Sequence, residues 1–311
     1  PVPMVLKVGQ AAMIRDEAER YRLLQPYLGG QRLAHLEGEA YSRQTGGLLY
    51  TLVGAQDWEA LDVLAVHLAH GDLRPLERLI SRFLTQTFQA IYQQAQEAPL
   101  DLTTHYTAAL GLTVEKLHQA LATWQPDAQS AQTLTLPGLN TPLPNPIAWA
   151  IMDGHFRSWG SVATRTVLCH GDLHSRNILV DAEGNGWLID FGRAGRSHYL
   201  RDFAELETDL RLQLAAGAAM TDLLPFEEAL AQNPLGQSTI APPAWPLTLA
   251  RAYALIGAVR HSARELIVGE LREIEYQQAL FWHLLNATRL RALTQEKKAY
   301  ALFAASVLVN T

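Results

Sequence analysis

The stretch that decides the fold is "TVLCHGDLHSRNILVDAEGNGWLIDFG", residues 166–192. Its first four residues are a short apolar run, which predicts a buried strand. Two further apolar runs flank Asp181–Asn185, a segment rich in turn-forming residues, and this pattern predicts a β-hairpin. Polar residues stand where these predicted strands end, namely Asp172, Asn177 and Asp190.

The types and the order of these three residues suit phosphoryl transfer. One carboxylate, Asp172, can orient an attacking hydroxyl and accept its proton. The amide oxygen of Asn177 and the carboxylate of Asp190 are ligands that Mg²⁺ accepts beside phosphate groups. An aspartate, an asparagine five positions later and then Asp190-Phe191-Gly192 form the pattern of kinase catalytic loops. The alternative is an ordinary polar loop between strands, and the ordered combination favours the catalytic interpretation.

The tetrapeptide His-Gly-Asp-Leu occurs a second time, at residues 70–73, without that context. The position that would need an asparagine holds Glu77, and apolar residues then recur at helical spacing. Asp72 is placed to cap the predicted helix. His67 and His70 could be metal ligands, but no third ligand is near them in the sequence, and we expect ordinary helix-end histidines.

Composition excludes several classes of protein. The 311 residues are 48% hydrophobic and 18% charged, which is typical of a globular chain. The net charge is −6 and no dense basic run occurs, so we expect no nucleic-acid partner. Cys169 is the one cysteine, which excludes an internal disulfide and fits a reducing, cytoplasmic location. No apolar run is long enough to span a membrane, and we expect no membrane association.

The quoted stretch resembles the aminoglycoside phosphotransferase and choline kinase superfamily, within the protein-kinase-like fold. Gly171 stands where protein kinases have arginine, and no Ala-Pro-Glu element follows the hairpin, so the resemblance favours small-molecule substrates over proteins. The resemblance implies that Asp172 is the catalytic base and that Asn177 and Asp190 are the metal ligands.

Two further residues are implied as structural support of the catalytic loop, His170 and Asp202. Asp202 lies in the segment "YLRDFAELETDL", which resembles the helix that follows the metal loop in this superfamily. The alternative for Asp202 is a simple helix N-cap, and one residue can do both.

Upstream, the apolar segment "VPMVLKVG", residues 2–9, predicts a strand that bears Lys7, and a segment with helical spacing follows it. In a kinase-like fold Lys7 would contact the nucleotide phosphates, and Glu17, or otherwise Glu19, would pair with it. The alternative is a solvated lysine on a strand edge. The resemblance also implies an adenine-binding hinge whose backbone groups lie at Leu52, Val53 and Gly54.

We therefore predict an α+β, protein-kinase-like, two-lobed fold with a truncated small β-rich N-lobe and a large, mostly helical C-lobe. The partial N-lobe covers residues 1–53, the hinge 54–57, and the C-lobe 58–311, with the catalytic loop at 170–177 and the metal loop at 190–192. Only six residues precede Lys7, where the resembled family has two strands and a phosphate-covering loop. Either this is a fragment and those elements lie upstream, which we favour, or the lobe is reduced. We expect fusion to upstream domains in the full-length chain.

The predicted function is ATP- and Mg²⁺-dependent transfer of a phosphoryl group to a hydroxyl of a small-molecule acceptor. The alternative is a nucleotide-sensing or interaction module of a larger signalling protein. The sequence does not choose the acceptor. Acidic candidates for its binding site are Glu205, Glu207 and Asp209, aromatic candidates are Trp245, Tyr276 and Trp282, and the alternative for both sets is ordinary helix surface and core.

Overall fold

A computed structural model describes residues 4–28, 34–51, 61–123, 131–136, 138–139, 141–233, 244–267 and 272–310. The chain divides into two compact units. Unit 1 consists of Pro1–Glu97, Arg165–Leu206 and His261–Glu270, and unit 2 of Ala98–Thr164, Glu207–Arg260 and Leu271–Thr311. Unit 1 therefore contains both the Lys7 strand and the quoted catalytic stretch.

The strands and helices alternate irregularly along the chain. The strands are β1 (Met4–Gln10), β2 (His35–Tyr41), β3 (Thr45–Thr51), β4 (Asp62–Val63), β5 (Gln96–Asp101), β6 (Thr133–Leu134), β7 (Leu143–Pro144), β8 (Ile151–Met152), β9 (His155–Phe156), β10 (Ser161–Cys169), β11 (Ile178–Val180), β12 (Gly186–Leu188) and β13 (Gly195–His198). The helices are α1 (Ala11–Leu24), α2 (Leu64–His70), α3 (Leu73–Tyr92), α4 (Leu102–Leu110), α5 (Val114–Ala122), α6 (Pro146–Ala150), α7 (Arg201–Leu214), α8 (Met220–Gln232), α9 (Leu247–Leu266), α10 (Glu273–Ala287) and α11 (Gln295–Leu308).

The predicted fold class, α+β, is confirmed. Small sheets occupy the N-terminal part of the chain and the catalytic stretch, whereas the C-terminal part is helical. No helix in the described ranges is long and apolar enough to cross a membrane. The predicted boundaries of lobes and hinge stay predictions, and residues 52–57, which include the hinge, lie outside the described residues.

The N-terminal sheet of unit 1 positions Lys7. Strand β3 is central and pairs antiparallel with β1 on one side and β2 on the other. Helix α1 buries one face, because Ile14, Glu17, Ala18, Tyr21 and Leu24 recur at the helical period. This face packs α1 beside the sheet, which brings the helix that bears Glu17 next to the strand that bears Lys7.

The predicted hairpin forms between β11 and β12, with Ile178 opposite Leu188 and Val180 opposite Gly186. Its turn is organised by Asp181, whose carboxylate accepts hydrogen bonds from the backbone N–H of Asn185 at 2.7 Å and from the indole N–H of Trp187 at 3.1 Å. These bonds satisfy the polar groups of a tight turn against a buried tryptophan. The hairpin connects Asn177 to Asp190 and therefore fixes the position of one relative to the other.

The first His-Gly-Asp-Leu copy leads into a helix, as predicted. Helix α3 begins at Leu73, and Asp72 has the extended backbone conformation of an N-cap, with φ −66° and ψ 138°. The prediction that Asp72 caps the helix was wrong in one respect, because its side chain accepts no hydrogen bond from the first turn. The position is that of a cap, but the carboxylate does not perform that role.

Unit 2 contains a buried cluster of charges and hydroxyls on five helices. The carboxylate of Glu207 accepts hydrogen bonds from Arg260 at 2.7 Å and from the Tyr276 hydroxyl at 2.7 Å. Burial alone would raise the pKa of Glu207, but the neighbouring guanidinium groups of Arg260 and Arg211 lower it to about 2. The members of this cluster are Glu207, Arg211, Glu227, Arg260, Tyr276 and Tyr300.

Candidate active site

The predicted catalytic loop, residues 170–177, contains a glycine that no other residue can replace without strain. Gly171 has φ +75°, and a Cβ at this position would lie 2.3 Å from the carbonyl oxygen of Arg193. Both the left-handed backbone and the close approach exclude a side chain. The carbonyl of Gly171 accepts a hydrogen bond from Arg201 at 2.7 Å, which fixes the loop further.

Asp202, at the start of α7, holds the loop backbone with both carboxylate oxygens. The backbone N–H of His170 donates to one oxygen at 2.7 Å, and that of Gly171 donates to the other at 2.8 Å. The His170 ring is fully buried and contacts the carbonyl of Ile189 at 3.0 Å. Burial lowers the pKa of His170, so the ring is neutral near pH 7. Both residues predicted to support the loop therefore contact backbone atoms. Asp202 contacts those of His170 and Gly171, and the His170 ring contacts the carbonyl of Ile189.

Asn177 lies against the backbone of Asp172. Its side-chain amide donates to the carbonyl oxygen of Asp172 at 2.8 Å and lies 3.5 Å from one oxygen of the Asp172 carboxylate. Asn177 is buried, in a short 3-10 turn at Ser175–Asn177, whereas the Asp172 side chain is partly exposed. The structure thus brings the predicted base and the predicted amide ligand into contact and leaves the carboxylate accessible.

Asp190 has a backbone conformation that the sequence does not reveal. Its φ is +66°, in the left-handed region that non-glycine residues rarely adopt. The next residue, Phe191, is buried and packs edge-on against Tyr21 at 5.0 Å and against His170 at 5.5 Å between ring centroids. The buried Phe191 ring holds the turn at Asp190 in place. A left-handed backbone at a non-glycine residue is strained, and such strain clusters at functional sites.

Lys7 connects Asp190 to helix α1. Its Nζ lies 2.6 Å from the carboxylate of Glu17 and 2.9 Å from that of Asp190. Glu17 is buried and also accepts a hydrogen bond from the Tyr50 hydroxyl at 3.3 Å, while the other candidate, Glu19, is exposed. The geometry therefore selects Glu17 over Glu19 as the partner of Lys7.

The ion pairs alter the proton affinities of this group. Burial disfavours the charged form of Lys7, but its contacts with Glu17 and Asp190 outweigh burial and raise the pKa of Lys7. Burial would raise the pKa of Asp190, but Lys7 outweighs it and lowers that pKa. Both groups therefore carry their charges across the physiological pH range.

The donor set at this point fits a hard divalent cation and a phosphate chain. Asn177 and Asp190 offer oxygen atoms, which Mg²⁺ prefers, and the Asp190 side chain is 43% exposed. Lys7 has three donor hydrogens, and two carboxylates engage it, so one stays for a phosphate oxygen. No group of three or more His, Cys, Asp and Glu suited to a metal ion occurs in the described ranges.

Two residues beside Asp172 were not predicted to act at the loop. Arg193 lies 3.6 Å from the Asp172 carboxylate, and Glu205 accepts a hydrogen bond from the backbone N–H of Leu173 at 3.2 Å. The signal for Glu205 was available, because it stands three positions after Asp202 and so shares its helix face. The signal for Arg193 was weaker, since only the fold brings residues beyond Gly192 to the catalytic loop.

The candidates for an acceptor site have structural roles in the described residues. Glu207 and Tyr276 belong to the buried cluster of unit 2. Trp282 is fully buried, with its ring centroid 5.3 Å from that of Phe281. These side chains are therefore core, as the alternative interpretation had it. The predicted hinge residues Leu52, Val53 and Gly54 lie outside the described residues.

A family model described as "Ternary complex associated domain 9" matches residues 121–290, more than half of the chain. The chain belongs to the ternary complex associated domain 9 family. The match includes the catalytic loop, the hairpin and helix α7 of this family member. No curated protein sequence matches the chain.

Three solved structures that are similar to this family member are named as phosphotransferases or kinases. An aminoglycoside-3'-phosphotransferase of type VIII is 14% identical, with 93% of this chain and 86% of that chain covered and a TM-score of 0.46. Amicoumacin kinase hAmiN, in complex with AMP-PNP, Ca²⁺ and Ami, is 11% identical, with 99% and 81% covered and a TM-score of 0.44. The phosphotransferase APH(3'')-Id from Streptomyces rimosus ATCC10970, in complex with ADP and streptomycin, is 15% identical, with 83% and 86% covered and a TM-score of 0.40.

Proposed function

We propose that this protein is an ATP- and Mg²⁺-dependent phosphotransferase whose acceptor is a hydroxyl of a small molecule. The observation that carries the proposal is the ion-paired group in unit 1, in which Lys7 contacts both Glu17 and Asp190. Lys7 and Glu17 were predicted from the start of the chain and Asp190 from its middle, and a solvated lysine on a strand edge would need no such partners.

In this proposal Asp172 accepts the proton of the acceptor hydroxyl. Its carboxylate is partly exposed, and the Asn177 amide holds the backbone carbonyl of the same residue. A fixed carboxylate at the end of a braced loop can orient a hydroxyl for in-line attack. Arg193 lies 3.6 Å from this carboxylate.

Lys7, Asn177 and Asp190 form the phosphate-binding side of the proposal. Lys7 donates to phosphate oxygens, and Glu17 keeps its ammonium in position. Asn177 and Asp190 would hold Mg²⁺, which supplies charge neutralisation of the phosphates when bound. The adenine would meet backbone groups of the hinge at Leu52, Val53 and Gly54, and the N-lobe and C-lobe boundaries belong to the same proposal.

Phosphoryl transfer can be tested with two matched aspartate variants. Asp172→Asn should lower transfer from ATP by about 10²–10⁴-fold, because it removes a general base but keeps the shape of the side chain. Asp72→Asn, in the identical tetrapeptide, should leave the rate unchanged, since Asp72 has no catalytic partners. ADP release and phosphorylated products are measured by mass spectrometry against a panel of sugars, aminoglycosides and amino alcohols. Equal rates for both variants would contradict the role of Asp172.

A second candidate is a nucleotide-sensing interaction module, and the family description, which names a ternary complex, favours it. A sensor needs Lys7 and Asp190 to hold a nucleotide but has no need of a base at position 172. Tight binding of ATP with Mg²⁺ in the absence of ADP and of any phosphorylated acceptor would make the sensor the better description.

A further inference from the structure

Helix α7 presents two carboxylates to the catalytic loop. Asp202 accepts the backbone N–H groups of His170 and Gly171. Glu205, one helical turn further on, accepts the backbone N–H of Leu173 at 3.2 Å. The residue between these bonded amides is Asp172, whose carboxylate is the proposed base.

The peptide unit that joins Asp172 to Leu173 is held at both of its polar ends. Its carbonyl oxygen, which belongs to Asp172, accepts a hydrogen bond from the Asn177 amide at 2.8 Å. Its N–H, which belongs to Leu173, donates to Glu205. Because a peptide unit is planar, two bonds on opposite sides fix its rotation and therefore the backbone orientation of Asp172.

We propose that Glu205 is a positioning residue that, with Asn177, clamps the Asp172–Leu173 peptide plane and so fixes the direction of the catalytic carboxylate. The catalytic part of this inference rests on the proposed function. The clamp itself rests on the two hydrogen bonds. Glu205 is thus given a structural task at the loop, distinct from the acceptor-binding task considered for it from the sequence.

Burial favours a neutral Glu205 carboxyl, and charges of both signs surround it. Arg201 and Asp202 face it from its own helix, Asp172 faces it from the catalytic loop, and Arg193 from the segment after Gly192. Burial raises the pKa of Glu205 to about 8; Arg201 opposes this effect, whereas Asp172 and Asp202 add to it. A neutral acceptor of the Leu173 N–H adds no negative charge beside the proposed base, where phosphate oxygens would arrive.

Two variants separate the clamp from a general contribution to stability. Glu205→Gln keeps an acceptor oxygen and the neutral charge, whereas Glu205→Leu keeps the approximate size and removes the acceptor. We expect the Leu173 amide to exchange with solvent at least 10-fold faster in Glu205→Leu, and at nearly the wild-type rate in Glu205→Gln. The amides of His170 and Gly171, which Asp202 holds, are the internal control and should keep their exchange rates.

A second measurement follows the protonation of the Glu205 carboxyl. In the wild-type protein the Leu173 amide resonance should titrate with a midpoint near pH 8, and in Glu205→Gln this titration should disappear. ATP turnover should show kcat reduced about 10- to 100-fold in Glu205→Leu with the KM for ATP within twofold, because only orientation of the base is lost. Glu205→Gln should restore most of that kcat.

The outcomes are distinguishable. Unchanged exchange at Leu173 in Glu205→Leu, or a Leu173 resonance without titration in the wild type, would overturn the clamp. Equal loss of kcat in both variants would overturn the positioning role. If the wild-type protein turns over no ATP, the proposed function fails, and the exchange rates and the titration decide on the clamp alone.

Discussion

At the scale of the residue, the catalytic loop depends on backbone conformations that only certain positions permit. Gly171 and Asp190 both have positive φ, and only one of them is glycine. For Gly171 the structure shows the physical reason, since a side chain would collide with the backbone at Arg193. For Asp190 the packing of Phe191 against Tyr21 and His170 holds the conformation.

Replacement of Gly171 by alanine tests this close approach. Gly184 is the matched control in the same unit, because it has φ +73° and nothing within 4 Å of an added Cβ. Gly184→Ala should cost about 1 kcal/mol in the free energy of unfolding, the cost of a left-handed backbone alone. Gly171→Ala should cost more, by at least about 1–3 kcal/mol, since the loop must move. Denaturant titrations would measure both, and equal costs would contradict the close approach.

At the scale of the element, helix α7 carries two groups of charged side chains with different partners. Asp202 and Glu205 in its first turns hold the catalytic loop, and Glu207 and Arg211 further on belong to the buried cluster of unit 2. The side chains of Glu207 and Arg211 are at most 1% exposed. If one partner of such a buried group is removed, an uncompensated charge stays in the interior and destabilises the folded protein.

Substitution of a buried and of an exposed arginine by methionine compares a buried ion pair with an exposed one. Arg211→Met should lower the free energy of unfolding by about 3–5 kcal/mol, because it leaves the carboxylates of Glu207 and Glu227 with too few cations. Arg74→Met should cost less than about 1 kcal/mol, since the Arg74 side chain is 82% exposed and pairs with Glu77 at 3.4 Å. The measurement is chemical denaturation of both variants. A cost for Arg211→Met below that for Arg74→Met would contradict the proposed weight of the cluster.

At the scale of the whole molecule, the proposed site joins segments that are far apart in sequence but lie in one compact unit. Lys7 and Glu17 come from the start of the chain, and Asp172, Asn177 and Asp190 from its middle. A ligand that bridges these segments should stabilise that unit as a whole, by an amount set by its concentration relative to its Kd.

Nucleotide binding should therefore be visible as thermal stabilisation that depends on Asp190. A non-hydrolysable ATP analogue with Mg²⁺, at 100 times its Kd, should stabilise the wild-type protein by about 2.7 kcal/mol. Asp190→Ala should abolish this increase, because the anionic metal ligand and one partner of Lys7 are lost. Asp72→Ala is the control and should keep it. The same shift in melting temperature for Asp190→Ala and wild type would remove Asp190 from the site.

The sequence by itself determined the hairpin within residues 166–192 and the α+β class, because these depend on residue type and on local periodicity. Asp172, Asn177 and Asp190 could be proposed together since their spacing is short and their order specific. Tertiary structure alone decided that Glu17 and not Glu19 contacts Lys7, and that Arg193 lies beside the Asp172 carboxylate. The physical reason is distance along the chain: such contacts depend on how helices and strands pack, and periodicity constrains only the face that an element buries.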